Sequence, residues 1–285
     1  MSTPAPITPE IVKHVGYCDA VDGYVHSWET NCPPRGIILY VHGLQSHSAW
    51  AWELASSFVR RGYTFISLDR RGSGLSPENH TEFPNAEVAT QDYARFINFI
   101  LASNPSLPVL AIGHCLGGSV LTATLATAPH LAKKLSKVAI VSSWLNKLHT
   151  MKSPTELDAL RNDASDEMWD VGLTASDFTD SPDYQRFIIE DPLAVRKITR
   201  RSRRNILQLE DMYGAWKAPT ELEVQFITSI NDPVIDVPSA AEQARTVYGS
   251  NISLHFFGED KHFIPFTSFR EALVTQVAEV QNDIT

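Results

Sequence analysis

Six apolar segments recur along the chain, and this recurrence constrains the fold more than any other feature of the sequence. Each segment is a continuous apolar run, and most neighbours are separated by an amphipathic stretch. Continuous runs are typical of strands buried on both faces of a parallel sheet, whose neighbours are joined by crossover helices. The sequence therefore predicts an α/β fold, with a mostly parallel central sheet flanked by helices. The six segments are GIILYVHG, YTFISLD, PVLAIGH, KVAIVSS, EVQFITS and ISLHFFG.

Other local patterns complete this outline. Two segments rich in β-branched and aromatic residues, IVKHVGYC and GYVHSWE, flank the turn signal DAVDG and predict an antiparallel hairpin before the parallel strands. The Pro-rich first nine residues predict a flexible arm. The helices are predicted at residues 49–60, 86–101, 117–127, 239–248 and 266–282.

The composition indicates an ordinary globular protein with an acidic balance. The chain has 285 residues, 43% hydrophobic and 20% charged, which suits one large core with an insertion. Its 24 Lys and Arg residues against 33 Asp and Glu residues give a net charge of −9. This balance argues against nucleic-acid partners, which bind to a general basic field.

The cysteine content and the N-terminal sequence predict a location inside the cell. The three cysteines, Cys18, Cys32 and Cys115, are too few and too scattered for a disulfide framework or a zinc site. The first ten residues contain no basic segment followed by an apolar one, and no run reaches the roughly 18 apolar residues of a membrane helix. We therefore expect a cytoplasmic protein with no signal peptide and no membrane span.

One interval is too long for a single crossover helix. About eighty residues separate KVAIVSSW from EVQFITS, whereas most connections in such folds are far shorter. We expect a helical lid at residues 145–216, inserted into a core made of residues 1–144 and 217–285. The apolar residues of this interval suit a cover over a hydrophobic pocket, although packing of the lid onto the core explains them equally well. They are Met151, Met168, Trp169, Leu173, Phe178 and Phe187.

Polar loops follow several of the predicted strands. In open α/β sheets, ligands bind outside the carboxyl ends of the strands, so these loops are the candidate site. Two of them are the segment His42-Gly43-Leu44 and the segment DRRGSGLS at residues 69–76. The others are GHCLGG at residues 113–118, a turn that contains Asp232, and a loop that contains His262.

These motifs, taken in order, resemble those of the α/β-hydrolase superfamily, and within it the monoacylglycerol lipase and lysophospholipase-like branch. The resemblance covers essentially the whole chain and includes the Gly-x-nucleophile-x-Gly turn and the chain order nucleophile, acid, histidine. It implies that the backbone N–H groups of Leu44 and Leu116 form an oxyanion hole. It also implies that His42 and His114 brace the loops rather than transfer protons.

Cys115 occupies the nucleophile position of that turn. Gly113 and Gly117 leave room where a Cβ would collide with the backbone, and the N-terminus of the following helix would lower the pKa of a thiol. We expect His262 to be the general base and Asp232 to orient it. His255 lies within a strand-like run and Asp236 precedes a helix that it can cap, so both are weaker candidates.

A cysteine at this position leaves several functions open. Dienelactone hydrolases resemble the chain in having cysteine in such a turn, so hydrolysis of an ester, lactone or thioester through an acyl-Cys115 intermediate is the first hypothesis. Because a thioester also reacts with amines and carbon nucleophiles, an acyltransferase or a cyclase is the alternative. An engineered or impairing Ser→Cys change and a non-enzymatic binding module are further readings.

The predicted substrate is a small hydrophobic ester or thioester. Trp50, Trp144, Met151 and Trp169 are the candidate substrate-binding residues, and core packing is the alternative explanation for them. The run VRKITRRSRR, residues 195–204, has six basic residues in ten positions. Such a cluster is usually a solvated helix face, and the sharper hypothesis is that it binds an acidic acyl carrier protein or the phosphates of a coenzyme A thioester. No metal or organic cofactor is expected, since the chain has no P-loop and no dinucleotide-binding fingerprint.

Overall fold

The computed structural model describes residues 10–279, and its centre is a mostly parallel sheet of eight strands. The predicted arm at residues 1–9 and the last residues of the predicted helix 266–282 lie outside this range. The strand order across the sheet is β1-β2-β4-β3-β5-β6-β9-β10. The strands are β1 (Val12–Cys18), β2 (Gly23–Glu29), β3 (Gly36–Val41), β4 (Tyr63–Leu68), β5 (Val109–His114), β6 (Lys137–Val141), β9 (Val224–Ser229) and β10 (Ile252–Phe257), with β7 (Met168–Asp170) and β8 (Lys197–Thr199) outside the sheet.

The N-terminal hairpin and the parallel strands are confirmed. Strand β1 pairs with β2 in antiparallel register from Val12 opposite Glu29 to Cys18 opposite Gly23, and Asp22 takes a positive φ of 54° in the turn. Strand β2 is also antiparallel to β4, while every other pair in the sheet is parallel. Strands β3, β5, β6 and β9 are buried along their whole length, which explains their continuous apolar sequences.

Helices cover both faces of the sheet and bury a separate apolar cluster on each. One cluster includes residues of α2 (Ala86–Ser103), α3 (Leu116–Thr127) and α10 (Val237–Tyr248), and the other includes residues of α1 (Trp52–Arg60) and α11 (Arg270–Ala278). This arrangement confirms the predicted α/β architecture. The remaining helices are α4 (Pro129–Ala132), α5 (Lys147–Met151), α6 (Pro154–Asn162), α7 (Ala175–Phe178), α8 (Pro182–Glu190) and α9 (Arg200–Tyr213).

Two helices begin later than the sequence predicts. The segment predicted as a helix from residue 49 starts as a short 3-10 turn, Ser48–Ala51, and α1 begins only at Trp52. The segment predicted as a helix from residue 266 is interrupted in the same way. A 3-10 turn with Pro265 ends at Phe266, and the backbone of Thr267 is extended, so α11 begins at Arg270.

Residues 145–216, hereafter the insertion, contain five helices and the small antiparallel sheet formed by β7 and β8. Helix α9 connects the insertion to the core, because its Leu209 and Tyr213 belong to the cluster that also contains residues of α2 and α3. The Tyr213 hydroxyl donates to Ser119 Oγ at 3.2 Å and accepts from the backbone N–H of Asn146. The C-terminal part of α9 is therefore part of the core of the protein.

A buried carboxylate ties the insertion to the loop after β3. Asp191 Oδ2 lies 2.9 Å from His47 Nε2 and accepts a hydrogen bond of 2.6 Å from the indole N–H of Trp50. Burial alone would raise the pKa of Asp191, but these two partners outweigh it and hold the pKa below its ordinary value. The carboxylate thus provides hydrogen-bond acceptors for two buried polar side chains of the core.

We expect Asp191→Ala to lower the free energy of unfolding by about 3 kcal/mol, because it leaves His47 and Trp50 with buried, unpaired donors. Urea denaturation monitored by circular dichroism measures this change. Asp183→Ala in α8 is the matched control, since its side chain is 85% exposed, and its effect should stay within about 0.5 kcal/mol. Equal effects of the two substitutions would contradict this role of Asp191.

Candidate active site

Cys115 lies at a sharp turn between β5 and α3. Its φ and ψ are 52° and −124°, an unfavourable conformation for a residue with a side chain. Two backbone hydrogen bonds hold it there. The Cys115 N–H donates to Val141 O at 3.0 Å, and its carbonyl accepts from the Gly118 N–H at 3.0 Å. The turn projects the thiol from the sheet at the N-terminus of α3.

Glycines make this turn possible. A Cβ at Gly113 would lie 2.7 Å from Gly117 O, and a Cβ at Gly117 would lie 2.1 Å from Val41 O. A Cβ at Gly118 would lie 2.3 Å from Ser143 Oγ. These positions let the first turn of α3 pass directly over strands β3 and β5, as the sequence pattern predicts.

His262 and Asp232 form a buried pair. His262 Nδ1 lies 2.9 Å from each carboxylate oxygen of Asp232, and both side chains are fully buried. The Val234 N–H donates to Asp232 Oδ1, and the backbone N–H of His262 donates to Asp177 O at 2.8 Å. The pair is therefore fixed from both sides, with Nδ1 directed at the acid.

The two weaker candidates have other roles in the structure. Asp236 caps α10 by accepting from the Ser239 N–H at 2.9 Å, as expected for an acid before a helix. His255 lies within β10, where Nε2 pairs with Ser253 Oγ.

Cys115 and His262 influence one another electrostatically. Burial by itself raises the pKa of the Cys115 thiol, but the charge of His262, the Leu116 N–H and the charge of Lys147 together bring the pKa below its ordinary value. Burial by itself lowers the pKa of His262, yet Asp232 and Cys115 raise it to about 10. Within residues 10–279, the buried His262 Nε2 makes no hydrogen bond, so its electrostatic interaction with Cys115 is not a direct contact. The two shifts have the directions expected when a thiol and an imidazole each stabilise the charged form of the other.

We expect the alkylation of Cys115 by iodoacetamide to depend less steeply on pH between about pH 6.5 and pH 8 than that of a free thiol, because its lowered pKa makes more thiolate available in this range. N-acetylcysteine is the reference, since a free thiol with a pKa of about 8.5 reacts roughly tenfold faster for each unit of pH in this range. Mass spectrometry of Cys115 peptides measures the rate. A pH profile parallel to that of N-acetylcysteine would show that His262 does not activate the thiol.

His42 braces the loop after β3. Its Nδ1 lies 2.9 Å from Gly43 O, and its Nε2 accepts from the Arg70 N–H at 3.1 Å. Burial lowers the pKa of His42 to about 3, so the ring is neutral, consistent with one donating and one accepting nitrogen. His114 is also buried, its pKa is about 3 for the same reason, and its Nε2 lies 3.4 Å from His262 O. Both rings contact backbone groups, as predicted for bracing residues.

A cavity of about 360 Å³ opens over Cys115. The two residues predicted for the oxyanion hole, Leu44 and Leu116, both line it. The predicted substrate-binding residues Trp144, Met151 and Trp169 line it as well. Several polar residues of its wall are not predicted from the sequence, because only the folded chain brings them together: Ser119, Ser142, Lys147, Lys152 and Glu210. Arg203, predicted only as part of the basic run at residues 195–204, also lines the cavity.

The placement of Trp50 corrects a prediction. Trp50 is fully buried and does not line this cavity. Its ring packs against Phe178 and Phe263, and its indole N–H is taken by Asp191. The indole therefore packs between the core and the insertion, so Trp50 has the core-packing role and not the substrate-binding one.

The basic run at residues 195–204 is neutralised only in part. Arg200 pairs with Glu167, and Arg201 pairs with Glu82 and Asp166. The Arg196 guanidinium donates to backbone carbonyls such as Ile188 O. The other three basic residues of the run make no ion pair in the part of the chain that the structure describes: Lys197, Arg203 and Arg204. Within residues 10–279, no helix is long and apolar enough to cross a membrane, and no cluster of three His, Cys, Asp or Glu side chains suits a metal ion.

The sheet order, the turn after β5, and the acid and histidine after β9 and β10 define an α/β-hydrolase fold. The chain belongs to the serine aminopeptidase S33 family, whose family profile matches residues 32–266.

Monoglyceride lipases are among the similar proteins. The monoacylglycerol lipase of Mycolicibacterium smegmatis is 26% identical over 102 residues, which are 36% of this chain and 36% of that protein. The human monoglyceride lipase is 25% identical over 127 residues, 45% of this chain and 42% of that protein. Each match spans less than half of the relative. A solved structure of a soluble variant of monoglyceride lipase from Saccharomyces cerevisiae, in complex with a substrate analog, has a TM-score of 0.72 and 18% identity and covers 98% of both chains.

Proposed function

We propose that the protein hydrolyses an ester of a hydrophobic acyl group through a covalent acyl-Cys115 intermediate. The observation that carries this proposal is the placement of the thiol: it lies at the N-terminus of α3, under a cavity of about 360 Å³, where the charge of His262, paired with buried Asp232, lowers its pKa. A nucleophile, a base and an orienting acid in this arrangement suit acyl transfer.

In the first half of the reaction, the Cys115 sulfur attacks the acyl carbon and forms a tetrahedral intermediate. The Leu44 and Leu116 N–H groups stabilise its oxyanion, and His262, as imidazolium, donates a proton to the leaving alkoxide. The carbon–oxygen bond breaks, the alcohol departs and a thioester remains. In the second half, neutral His262 removes a proton from water, which attacks the thioester, and Cys115 is released together with a carboxylic acid.

The names of the similar proteins support a lipid ester as the substrate. Monoglyceride lipases are among the relatives, and the wall of the cavity includes Trp144, Met151 and Trp169. A thioester or a lactone would follow the same path with a different leaving group. The insertion supplies Met151 and Trp169, which supports its proposed role as a lid over the acyl group.

Acyl transfer to a non-water acceptor is the second candidate, and the presence of cysteine favours it. A thioester intermediate reacts readily with amines, thiols and carbon nucleophiles, so a cavity that excludes water would direct the acyl group to such an acceptor. A biosynthetic acyltransferase or a cyclase would then use the same three residues. Loss of catalysis, with the fold kept as a binding module, is the third candidate.

Intact-protein mass spectrometry tests these functions. The protein, Cys115→Ala and Cys115→Ser are incubated with p-nitrophenyl esters and acyl thioesters. We expect an acyl adduct on the protein, none on Cys115→Ala, and release of the adduct by water. An adduct that persists in water but is released by an amine or an alcohol would indicate a transferase. If only Cys115→Ser forms an adduct and turns over, the cysteine is an impairing replacement.

A further inference from the structure

Two cationic side chains in the wall of the cavity lack an acidic partner. Lys147 and Arg203 both line the cavity above Cys115. Lys147 Nζ donates to the backbone oxygen of Val234 at 3.1 Å, and no carboxylate within 4 Å accompanies it in residues 10–279. Within the same residues, Arg203 makes neither a hydrogen bond nor an ion pair. Its guanidinium therefore retains its donors for another molecule.

Each of these cations is held over a tryptophan ring. The guanidinium carbon of Arg203 lies 4.3 Å from the ring centroid of Trp169, and Lys147 Nζ lies 5.4 Å from that of Trp144. Stacking of this kind positions a cation while leaving its N–H groups free to bind an oxyanion in the plane. Burial and the nearby charge of Arg200 lower the pKa of Arg203, and the charge of Asp163 offsets this only in part.

The acid that faces the same cavity is already occupied. The Glu210 carboxylate accepts from the backbone N–H groups of Leu148 and His149 and contacts His149 Nδ1 at 2.8 Å. It is buried and fixes α5 to α9. A third cation of the wall, Lys152, pairs with Glu156 on the surface. The cavity thus has a surplus of positive charge in an otherwise acidic protein.

Two neighbouring arginines of α9 differ from Arg203 in having acidic partners. Arg200 and Arg201, in the first turn of α9, are paired with Glu167 and Glu82 at 2.9 Å and 2.8 Å. Arg204 has no ion pair within residues 10–279, but it donates to Asn205 Oδ1 at 3.4 Å, so Arg203 is the arginine of this helix that both faces the cavity and lacks a hydrogen-bonding partner. Arg200 is consequently a matched control for Arg203.

We propose that the substrate of Cys115 carries an anionic oxygen group, a carboxylate or a phosphate, which Arg203 and Lys147 bind at a distance from the scissile bond. This inference rests on the proposed function and names the class of substrate. A wholly neutral ester would offer no carboxylate or phosphate to either cation, whereas an anion forms charge-assisted hydrogen bonds with both. The anion belongs either to the far end of the acyl group or to the leaving group.

Two matched substrate pairs distinguish these sources. The p-nitrophenyl esters of hydrogen suberate and of methyl suberate differ by one charge at the far end of the acyl group. Octanoyl-4′-phosphopantetheine and octanoyl-pantetheine differ by one phosphate on the leaving group. We expect kcat/KM to favour the anionic member of one pair by about tenfold or more. High salt should reduce this preference.

Substitutions in α9 connect the preference to Arg203. Arg203→Met keeps an apolar side chain over Trp169, and it should bring the ratio between the anionic and the neutral member close to one. Arg203→Lys keeps the charge and should retain part of the preference. Arg200→Met, which removes an exposed and paired charge from the same helix, should leave the ratio unchanged.

The outcomes separate this inference from the proposed function. Turnover of methyl suberate through Cys115 with no preference in either pair would overturn the inference and leave the proposed function intact. If no ester forms an acyl-Cys115 adduct, the proposed function fails.

In that case, the inference is tested by measuring ligand affinities on Cys115→Ala by isothermal titration calorimetry. Suberamic acid should bind about tenfold more tightly than suberic diamide, or phosphopantetheine should bind about tenfold more tightly than pantetheine. Arg203→Met should abolish the difference. Equal affinities in both comparisons would overturn it.

Discussion

Asp232→Asn is expected to lower kcat/KM by roughly three to four orders of magnitude while the protein stays folded. The amide has nearly the shape of the carboxylate, but it has no charge to hold His262 as an imidazolium or to orient its ring. Because Asp232 also contributes to raising the pKa of His262 to about 10, the substitution should lower that pKa. The Cys115 thiolate would then lose its counter-ion, and alkylation of Cys115 near neutral pH should slow as well.

Asp236→Asn is the matched control for this experiment. Asp236 lies four residues further along the chain and caps α10, a role that asparagine also performs. We expect its kcat/KM and alkylation rate to remain close to those of the unmodified protein. Loss of activity in Asp236→Asn with activity retained in Asp232→Asn would assign the orienting acid to Asp236 instead. Steady-state kinetics on the best p-nitrophenyl ester and a pH profile of alkylation provide the two measurements.

Gly117→Ala is expected to have the largest effect on folding, lowering the free energy of unfolding by about 3 to 5 kcal/mol. A Cβ there would lie 2.1 Å from Val41 O and 2.7 Å from His42 O, and both of these neighbours are backbone atoms of a central strand and its loop. Neither can move without disturbing the pairing of β3 with β5. The added methyl group would therefore push α3 away from the sheet.

Gly16→Ala controls for the loss of a glycine as such. Gly16 lies in β1, at the edge of the sheet, and a Cβ there meets no atom within 4 Å. Its thermal midpoint should be close to that of the unmodified protein, whereas Gly117→Ala should unfold at a much lower temperature or fail to accumulate. If the two variants have equal thermal midpoints, the close approach at Gly117 does not limit stability.

The sequence predicts the sheet well because each strand is marked by its own residues and by the loop that follows it. Strands β3 and β5 are apolar along their whole length, and each ends at a polar loop that includes a motif. The sequence does not predict the start of α11, because the 3-10 turn that includes Pro265 lies within an apolar segment. Hydrophobicity alone does not distinguish such a segment from the first turn of a helix. A proline near the beginning of a predicted helix marks a boundary that deserves more weight.

The lining of the cavity is harder to predict because it depends on which elements meet in three dimensions. Trp50 and Trp169 are equally hydrophobic in sequence, yet one fills the core and the other lines the cavity. Lys147 is not predicted, and Arg203 is predicted only as part of a basic patch, because their role depends on which acids come near them in the folded chain. The spacing of basic residues at 195–204 suggests a patch, but the folded chain pairs Arg200 and Arg201 with acids and places Arg203 in the wall of the cavity.

Helix α3 has a consequence for how the protein is made. It contains no charged residue, begins with two glycines after Leu116, and is buried against α2, α9 and the sheet. Such a segment has little tendency to form a helix alone, so it forms only when its partners are present. Helix α9 and His262 leave the ribosome after α3. The surroundings that lower the pKa of Cys115 therefore form late in folding, after these later elements are in place.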